Sequence, residues 1–520
     1  MNKPLLLTDF LDRAVHLYGE KKAIIDQNEK VYTYNEVNDR VNQLSRGLQG
    51  LGIEKQDRVA YLAPNTVEMY EGFYGVFQVG AVMVSLNTRL SPNEYLFILN
   101  HSESKVLFVD HALVERIEPI IDQLETVKTI IVHGACEAEN DLVAYESWLA
   151  SYSTEAFQRV ALSENDVATL LYTSGTTGNP KGVMLTHRNN YLHALSSMHH
   201  LRVSDQDTLI HILPMFHVNG WGSPFYYTAN GATQIMQKDN QPAEILRKVE
   251  QYGATVMHMA PVVLSGLIDE YPKAKRIIEQ NVRIVIAGSA PPQAFIKKVE
   301  QEIGWEFIQV YGMTETTPLS LTSYISSEDE GVNEDEYYEM KAKAGYEMIG
   351  TKVRVVDENG NDVKNNGKDV GEVIVYGPGV MKGYWKNEEE TNRTIIDGWL
   401  YTGDVGTIDE RNRVAIVDRK KDIIISGGEN IASIEVEGIY HEHPAVKEVA
   451  IVAVPHEKWG ETPHACIVLR EGMNATEEEL IQFARDRISH FKCPKGITFL
   501  EELPKNASGK ILKVQLRELV

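Results

Sequence analysis

"YTSGTTGNPKG" (residues 172–182) carries four Ser and Thr hydroxyls, three glycines, one proline and one lysine, with no large apolar residue after Tyr172. Such a stretch builds no core. Glycines let backbone N–H groups approach a ligand closely. Thr173, Ser174, Thr176 and Thr177 add hydroxyl donors, Gly175 and Gly178 add backbone freedom, and Lys181 adds a mobile positive charge. The object that wants this set is a polyphosphate. "DVATLLYT" (166–173) before it reads as a strand and "THRNNYLHALSSM" (186–198) after it as a helix, giving a strand, loop, helix setting. It is not a Walker A loop, which needs Ser or Thr after Gly-Lys; here Pro180-Lys181-Gly182 stands instead. The plain alternative, a polar surface loop, rarely needs so many hydroxyls and glycines together.

Working outward, most of the chain alternates helical and strand patterns. "YNEVNDRVNQLSRGLQGLG" (34–52) has helical spacing and ends in Gly52, and "DRVAYLAPN" (57–65) reads as a buried strand and turn. "GFYGVFQVGAVMVSL" (72–86), the most apolar stretch, is short of a spanning length and carries Gln78. It reads as a buried helix followed by a buried strand. "ATVMHMAP" (254–261) and "VRIVIAGSAPP" (282–292) repeat the strand-then-turn form. Strands alternating with helices argue for an α/β fold with parallel sheets and ligands at the strand ends. From about residue 340 the texture changes to short strands with turns such as "DENG" (357–360) and "DERN" (409–412), which predicts a small β barrel or sandwich over about 340–418. "SSEDEGVNEDEYYE" (326–339) reads as a solvated acidic linker. From Arg419 onward helices and strands alternate again in a segment sized for a small α/β domain. Residues 419–520 carry a net charge of −2 against −21 for the rest, so the last domain is the easier place to receive an anion.

Length and charge bound the function. At 520 residues two or more domains are expected. A net charge of −23 disfavours nucleic acid and anionic membranes as partners. The cysteines, Cys136, Cys466 and Cys493, lack metal-site spacing and suggest a reducing, cytoplasmic setting. The run Leu5–Leu7 is too short for a signal peptide, no integral membrane segment is expected, and "RELV" at the C-terminus is not a peroxisomal signal.

The phosphate-type loop resembles that of the adenylate-forming superfamily, which includes acyl-CoA synthetases, aryl-CoA ligases, luciferases and peptide-synthetase adenylation domains. Five more stretches follow in that family's order. "LPMFHVNGW" (213–221) resembles its acyl-pocket segment, "YGMTE" (311–315) its adenine and magnesium motif, and "YTGD" (401–404) its ribose motif. "DRKKDIIISGGENI" (418–431) resembles its hinge and thioester motif, and "PKNASGKI" (504–511) its catalytic-lysine motif. Nearly the whole chain is covered.

The resemblance implies a large N-terminal domain (1–418) of two parallel-type αβ subdomains plus the small barrel, followed by a small mobile α/β C-terminal domain (419–520). It implies ATP and AMP contacts from Thr173, Ser174, Gly175, Thr176, Thr177, Gly178, Lys181, Gly288, Ser289, Ala290, Gln309, Tyr311, Gly312, Met313, Thr314, Asp404, Arg419 and Lys421. Tyr311 offers a ring for adenine, Thr314 a donor to the α-phosphate, and Asp404 two acceptors for the ribose hydroxyls. Glu315, with Thr173, is the expected contact for Mg²⁺, which binds few protein carboxylates. An acyl pocket is expected at His217, Val218, Trp221, Gly288 and Gly312. Asp418 is the implied hinge, and Gly427, Gly428 and Glu429 line the implied pantetheine path. Lys510, His217 and Thr314 are the expected catalytic residues, with Lys510 bridging carboxylate and α-phosphate.

His217 separates branches. Amino-acid-activating relatives place an aspartate near this position, and without one an α-amino group lacks its counter-ion. An acid with an apolar tail fits better. Long-chain relatives often carry Lys and Trp where Ile425 and Asn430 stand, so the pattern leans toward short- and medium-chain or methylthiopropionate ligases. The reading is an ATP-dependent acyl-CoA synthetase acting on a small-molecule carboxylic acid, with ATP and CoA as co-substrates and Mg²⁺ as cofactor, monomeric or homodimeric. A long-chain or aryl-acid ligase is the runner-up. A peptide-synthetase domain, a luciferase-type oxygenase and an inactive nucleotide sensor are the more distant rivals; His217 opposes the first, and the intact Lys510, Glu315 and Asp404 the last.

Overall fold

A computed structural model of the chain describes residues 3–134, 142–173, 180–273, 281–287, 293–329, 331–427, 429–505 and 511–520, with Asn430 by its backbone alone. The apolar stretch around residue 72 is the centre of the first layer. Helix Val67–Gln78 is buried along its whole length and starts at Thr66, whose hydroxyl accepts the Met69 N–H at 3.3 Å. Strand Val82–Ser85 follows, buried at every position. A charge inside such a helix needs compensation. Glu71 has it from the Arg40 guanidinium and from the Tyr145 hydroxyl, which donates at 2.7 Å. Arg40 comes from helix Tyr34–Gly50, whose start is fixed by a Thr33–Glu36 capping box.

Two large sheets form the body. One has eight strands in the order Gly383–Tyr384, Lys181–Thr186, Val167–Thr173, Val82–Ser85, Arg58–Leu62, Ser104–Asp110, Thr129–His133 and Val143–Ala144. The other has nine: Tyr346–Glu347, Leu319–Thr322, Glu306–Gly312, Arg283–Ile286, Val256–Met259, Thr208–His211, Thr233–Met236, Lys22–Ile25 and Val31–Thr33. The central strands of both are parallel, as the βα alternation predicts; antiparallel strands cap both edges of the nine-stranded sheet and the Gly383–Tyr384 edge of the eight-stranded one, whose other edge stays parallel. The sheets are tied at their strand ends. Lys238, just past Thr233–Met236, pairs at 2.8 Å with Asp110, the last residue of Ser104–Asp110.

A third, five-stranded sheet is antiparallel: Lys352–Val356, Gly371–Tyr376, Trp399–Ile408 and Ile395–Ile396, with Val414–Arg419 on Trp399–Ile408. It is a curled sheet rather than a closed barrel, since no ladder joins Lys352–Val356 to Val414–Arg419 among the described residues. It also starts later than residue 340: Tyr346–Glu347 belongs to the nine-stranded sheet. The fourth sheet holds Glu429–Ile431, Ile424–Ser426, Gly460–Leu469, Val446–His456 and Ile497–Phe499, flanked by helices Ser433–His441, Glu477–Arg485 and Lys513–Leu519. Its two apolar clusters, around Ile451 and around Val452, draw only on residues from 424 onward.

Two local expectations need correction. The glycine-rich segment is followed by a strand, Lys181–Thr186, before helix His187–His200; the setting is a β-hairpin and then a helix. The acidic stretch 326–339 is not a solvated linker. Asp329 is 3% exposed and bound by Arg411 and Arg413; against burial, which raises it, Arg413 and the Ser326 N–H and hydroxyl hold its carboxyl down at about 2, and helix Glu334–Ala342 buries Tyr338 and Met340. Those arginines lie in the hairpin loop after Ile408 and at its exit, so the ion pairs fasten the acidic segment to the third sheet.

Candidate active site

Two strand ends from different sheets meet here. Thr173 closes Val167–Thr173 and pairs across the hairpin with Lys181, which opens the next strand. Lys181 Nζ lies 2.5 Å from Glu390 Oε1 and 5.3 Å from the centre of the Tyr384 ring. The Tyr384 hydroxyl donates to Glu315 Oε1 at 2.9 Å. Glu315 sits in the short 3-10 turn Thr314–Thr316, where the nine-stranded sheet reverses between Glu306–Gly312 and Leu319–Thr322. It is 7% exposed, and burial pushes its carboxyl above the usual range. Thr314, which opens this turn, is itself 7% exposed.

The turn requires a glycine at its start. A Cβ on Gly312 would stand 1.7 Å from the Pro318 carbonyl oxygen. The chain can fold back only because nothing projects there, and the reversal places Tyr311, Thr314 and Glu315 along one edge.

Asp404 is held from two sides. The Tyr311 hydroxyl donates to Oδ2 at 2.7 Å, and Arg419 Nε lies 2.6 Å from Oδ1. Residues 404 and 419 are register partners on adjacent strands, so the sheet itself sets this pair. The next residue back, Asp418, is buried and accepts both the N–H and the hydroxyl of Ser433 at 2.6 Å, fastening the first helix of the last segment. Lys421 is exposed, beside Asp422 and Arg419, and partial desolvation lowers its ammonium below the usual value. Gly427 (φ 62°) begins the tight turn between Ile424–Ser426 and Glu429–Ile431. Its N–H donates to Trp459 O at 2.7 Å, and a Cβ there would meet the Trp459 ring at 2.8 Å.

The His217 segment shows a feature the sequence reading missed. Val218, Asn219, Gly220, Trp221 and Gly222 all have positive φ, between 47° and 75°. L-residues avoid this left-handed region, above all β-branched ones. Surrounding bonds hold the turn in place: Asn219 Nδ2 donates to Thr169 Oγ1 and Asn190 Oδ1, each at 3.1 Å, and Ser223 Oγ donates to Gly220 O at 2.7 Å. The only sequence signal is the pair of glycines. His217, just before the turn, has no hydrogen-bonded side-chain partner among the described residues, and burial lowers its imidazole to about 4. It is therefore neutral near pH 7. Trp221 is 5% exposed and stacks on His258 at 5.9 Å, inside the core.

Ser174, Gly175, Thr176, Thr177, Gly178, Gly288, Ser289, Ala290, Gly428 and Lys510 lie outside the described residues. Of the rest, the contacts form two sets, Lys181 with Glu315 through Tyr384 and Tyr311 with Asp404 and Arg419, and the Arg419 charge is felt at Glu315; Tyr384 and Glu390 are two members that sequence reasoning did not single out. Gln309 is buried with its Oε1 unpartnered. Met313 is half-buried and Glu429 exposed. Among the described residues no group of three or more His, Cys, Asp or Glu could hold a metal ion by itself. A single carboxylate such as Glu315 fits a Mg²⁺ that arrives with phosphate oxygens, which supply most of its ligands.

A sequence model of the family "AMP-binding enzyme" matches residues 11–385, and one of its C-terminal domain matches residues 435–510. The chain is an AMP-binding enzyme. A long-chain-fatty-acid–CoA ligase of Thermus thermophilus is 38% identical to this AMP-binding enzyme over 100% of the chain and 96% of its own length. A 3-methylmercaptopropionyl-CoA ligase of Ruegeria lacuscaerulensis is 32% identical over 100% and 98%. A solved anthranilate CoA ligase in complex with anthranoyl-AMP superposes with a TM-score of 0.91 at 25% identity, covering 99% of this AMP-binding enzyme and 98% of that chain. No helix among its described residues is long and apolar enough to cross a membrane.

Proposed function

We propose that this AMP-binding enzyme is an ATP-dependent acid–CoA ligase that works through an acyl-adenylate. The observation that carries the reading is the contact chain Lys181–Tyr384–Glu315, which joins the ends of two different sheets beside the Asp404–Arg419 pair. It gives a charge for the phosphates, a carboxylate for a metal and an acceptor for a ribose in one place. The acid's carboxylate attacks the ATP α-phosphorus and pyrophosphate leaves; the CoA thiol then attacks the acyl carbonyl, losing its proton, and AMP leaves. Lys181 and the Thr314 hydroxyl offset charge on the phosphates, and preorganised donors of this kind contribute roughly 3–4 kcal/mol each. Glu315, with Thr173 as the second proposed contact, would hold Mg²⁺, which neutralises phosphate charge when bound. Neutral His217 can donate one ring N–H to the acid but offers no counter-ion to an ammonium.

Residues 1–418 and 419–520 are proposed to act as two domains, with Asp418 as pivot and Lys510 delivered by the second for adenylation. Gly427, Gly428 and Glu429 then face the pantetheine arm after rotation. The segregated apolar clusters beyond residue 424 support this division. For the acid, Trp221 packed on His258 supports a short pocket, hence short- or medium-chain or methylthiopropionate-type acids. The Thermus thermophilus relative favours a second reading, a longer tail. A cytoplasmic monomer or homodimer is the proposed state; Cys466 and Cys493 are both free thiols.

The test is product analysis across acids from acetate to palmitate and benzoate, with Mg-ATP and CoA. AMP, pyrophosphate and acyl-CoA in equal amounts, with the best kcat/KM at short to medium length, are expected. ADP as product, or nucleotide binding without acid-dependent turnover, contradicts the proposal.

A further inference from the structure

Three acidic residues, Glu388, Glu389 and Glu390, begin helix Glu388–Thr394, and they are not equivalent. Glu389 has its side chain 85% exposed and reaches only Arg393 on its own helix. Glu390 is turned inward, 22% exposed, with Oε1 at 2.5 Å from Lys181 and Oε2 at 3.2 Å from Arg393. Its place is fixed: its N–H donates to the Asn387 side chain at 3.1 Å, and the Tyr384 N–H donates to Thr391 Oγ1 at 2.8 Å. Glu390 and Lys181 are 209 residues apart, so the pair exists only because strand Gly383–Tyr384 adds to the edge of the hairpin that carries Lys181.

We propose that Glu390 is a positioning residue for ATP use: it holds Lys181 in the nucleotide-free enzyme and gives it up to the phosphates of ATP. The inference rests on the reading of Lys181 as a phosphate ligand. One ammonium beside the Tyr384 ring faces two candidate anions, the Glu390 carboxylate and a polyphosphate. ATP must displace the first to gain the second, so the ion pair subtracts from ATP affinity. The same competition acts in reverse when pyrophosphate leaves, because Glu390 recaptures the lysine. The carboxylate thus trades tight ATP binding for release of product. Partly exposed ion pairs are worth roughly 0.2–1 kcal/mol, which corresponds to about 1.4- to fivefold in a dissociation constant.

The experiment measures Mg-ATP and pyrophosphate binding by calorimetry without acid, together with KM and kcat, in Glu390→Gln, Glu390→Ala, Glu389→Gln and Lys181→Met. Both Glu390 variants should bind ATP and pyrophosphate about two- to fivefold more tightly, with lower KM for ATP and unchanged or lower kcat. Glu389→Gln should match the parent. The gain should shrink as ionic strength rises from 20 to 300 mM, taken as about the range over which screening takes hold. A thermal unfolding midpoint near the parent's shows that both Glu390 variants fold. Unchanged or weaker ATP binding in the Glu390 variants, with Lys181→Met still impaired, overturns this inference and leaves the functional reading standing. Normal ATP binding and turnover in Lys181→Met overturns the reading of Lys181 itself, and this inference with it.

Discussion

The Tyr384 hydroxyl donates to Glu315 at 2.9 Å, joining the edge of the eight-stranded sheet to the turn at the end of the nine-stranded one. This bond aims a carboxylate that burial otherwise drives toward its neutral form. Glu315→Gln keeps the shape and loses the charge that Mg²⁺ needs, so Mg²⁺-dependent activity should fall by at least about tenfold while the unfolding midpoint holds. Tyr384→Phe should raise the Mg²⁺ concentration needed for half-maximal rate with a smaller loss of kcat. Unchanged Mg²⁺ dependence in both variants would remove Glu315 from the metal site.

Gly312 is required by space. Its Cβ would stand 1.7 Å from the Pro318 carbonyl oxygen, an atom of the backbone that cannot swing away. Gly312→Ala should lower stability by about 3 kcal/mol, at the upper end for overpacking, and abolish adenylation because Thr314 and Glu315 shift with the turn. A denaturant midpoint equal to the parent's contradicts this.

Acid should weaken the fold through buried imidazoles. Burial holds His187, His211 and His217 at about 4, and His193 and His258 at about 3, all below the ordinary histidine value. The unfolded chain takes up these protons near pH 6.5 while the native state does not. The stabilisation is complete above about pH 6.5, is lost as pH falls through that value, and levels off below the folded values. Each such histidine adds a slope of up to about 1.4 kcal/mol per pH unit in that window. Thermal unfolding from pH 8 to 4 should show the fall, and His193→Gln, though less stable throughout, should fall less steeply. An equal slope in that variant argues against the assignment.

How far the sequence reading reached follows from which signals are local. Helix Tyr34–Gly50 and the buried pair Val67–Gln78 and Val82–Ser85 announce themselves by apolar spacing within a dozen residues. The residues proposed for phosphate, ribose and metal could be proposed from the sequence because their chemistry sits in short contiguous stretches. Strand Lys181–Thr186 was not, because "KGVMLT" has a weak pattern and is a strand through its partners. Asp329 looked solvated because Arg411 and Arg413, which bury it, lie more than eighty residues on. Glu390 and Tyr384 were missed for the same reason: a lysine's partner across 209 residues leaves no trace in local composition. The left-handed turn after His217 hides too, since Val218 and Trp221 are residue types that disfavour it.

Trp221 should matter twice. It is buried on His258, so Trp221→Ala should cost about 3–5 kcal/mol of stability. If it also bounds the acyl pocket, the same change should shift preference toward longer acids, since a methylene in an apolar pocket is worth roughly 1–3 kcal/mol. Trp221→Phe, which keeps a ring, should retain most of the stability and shift preference less. An unchanged kcat/KM profile across the acid series in the alanine variant would leave Trp221 a packing residue only.

The central claim is that one site performs two half-reactions and that Lys510 serves only the first. Lys510→Ala should lose adenylation by roughly 10²–10³, as for deleting one preorganised donor to a charged transition state. Given ready-made acyl-adenylate and CoA, the same preparation should form thioester at near the parent rate. The deciding measurement is therefore both half-reactions, separately, on one batch of Lys510→Ala enzyme. Loss confined to adenylation is the predicted result; equal loss in both, or loss in neither, contradicts the account.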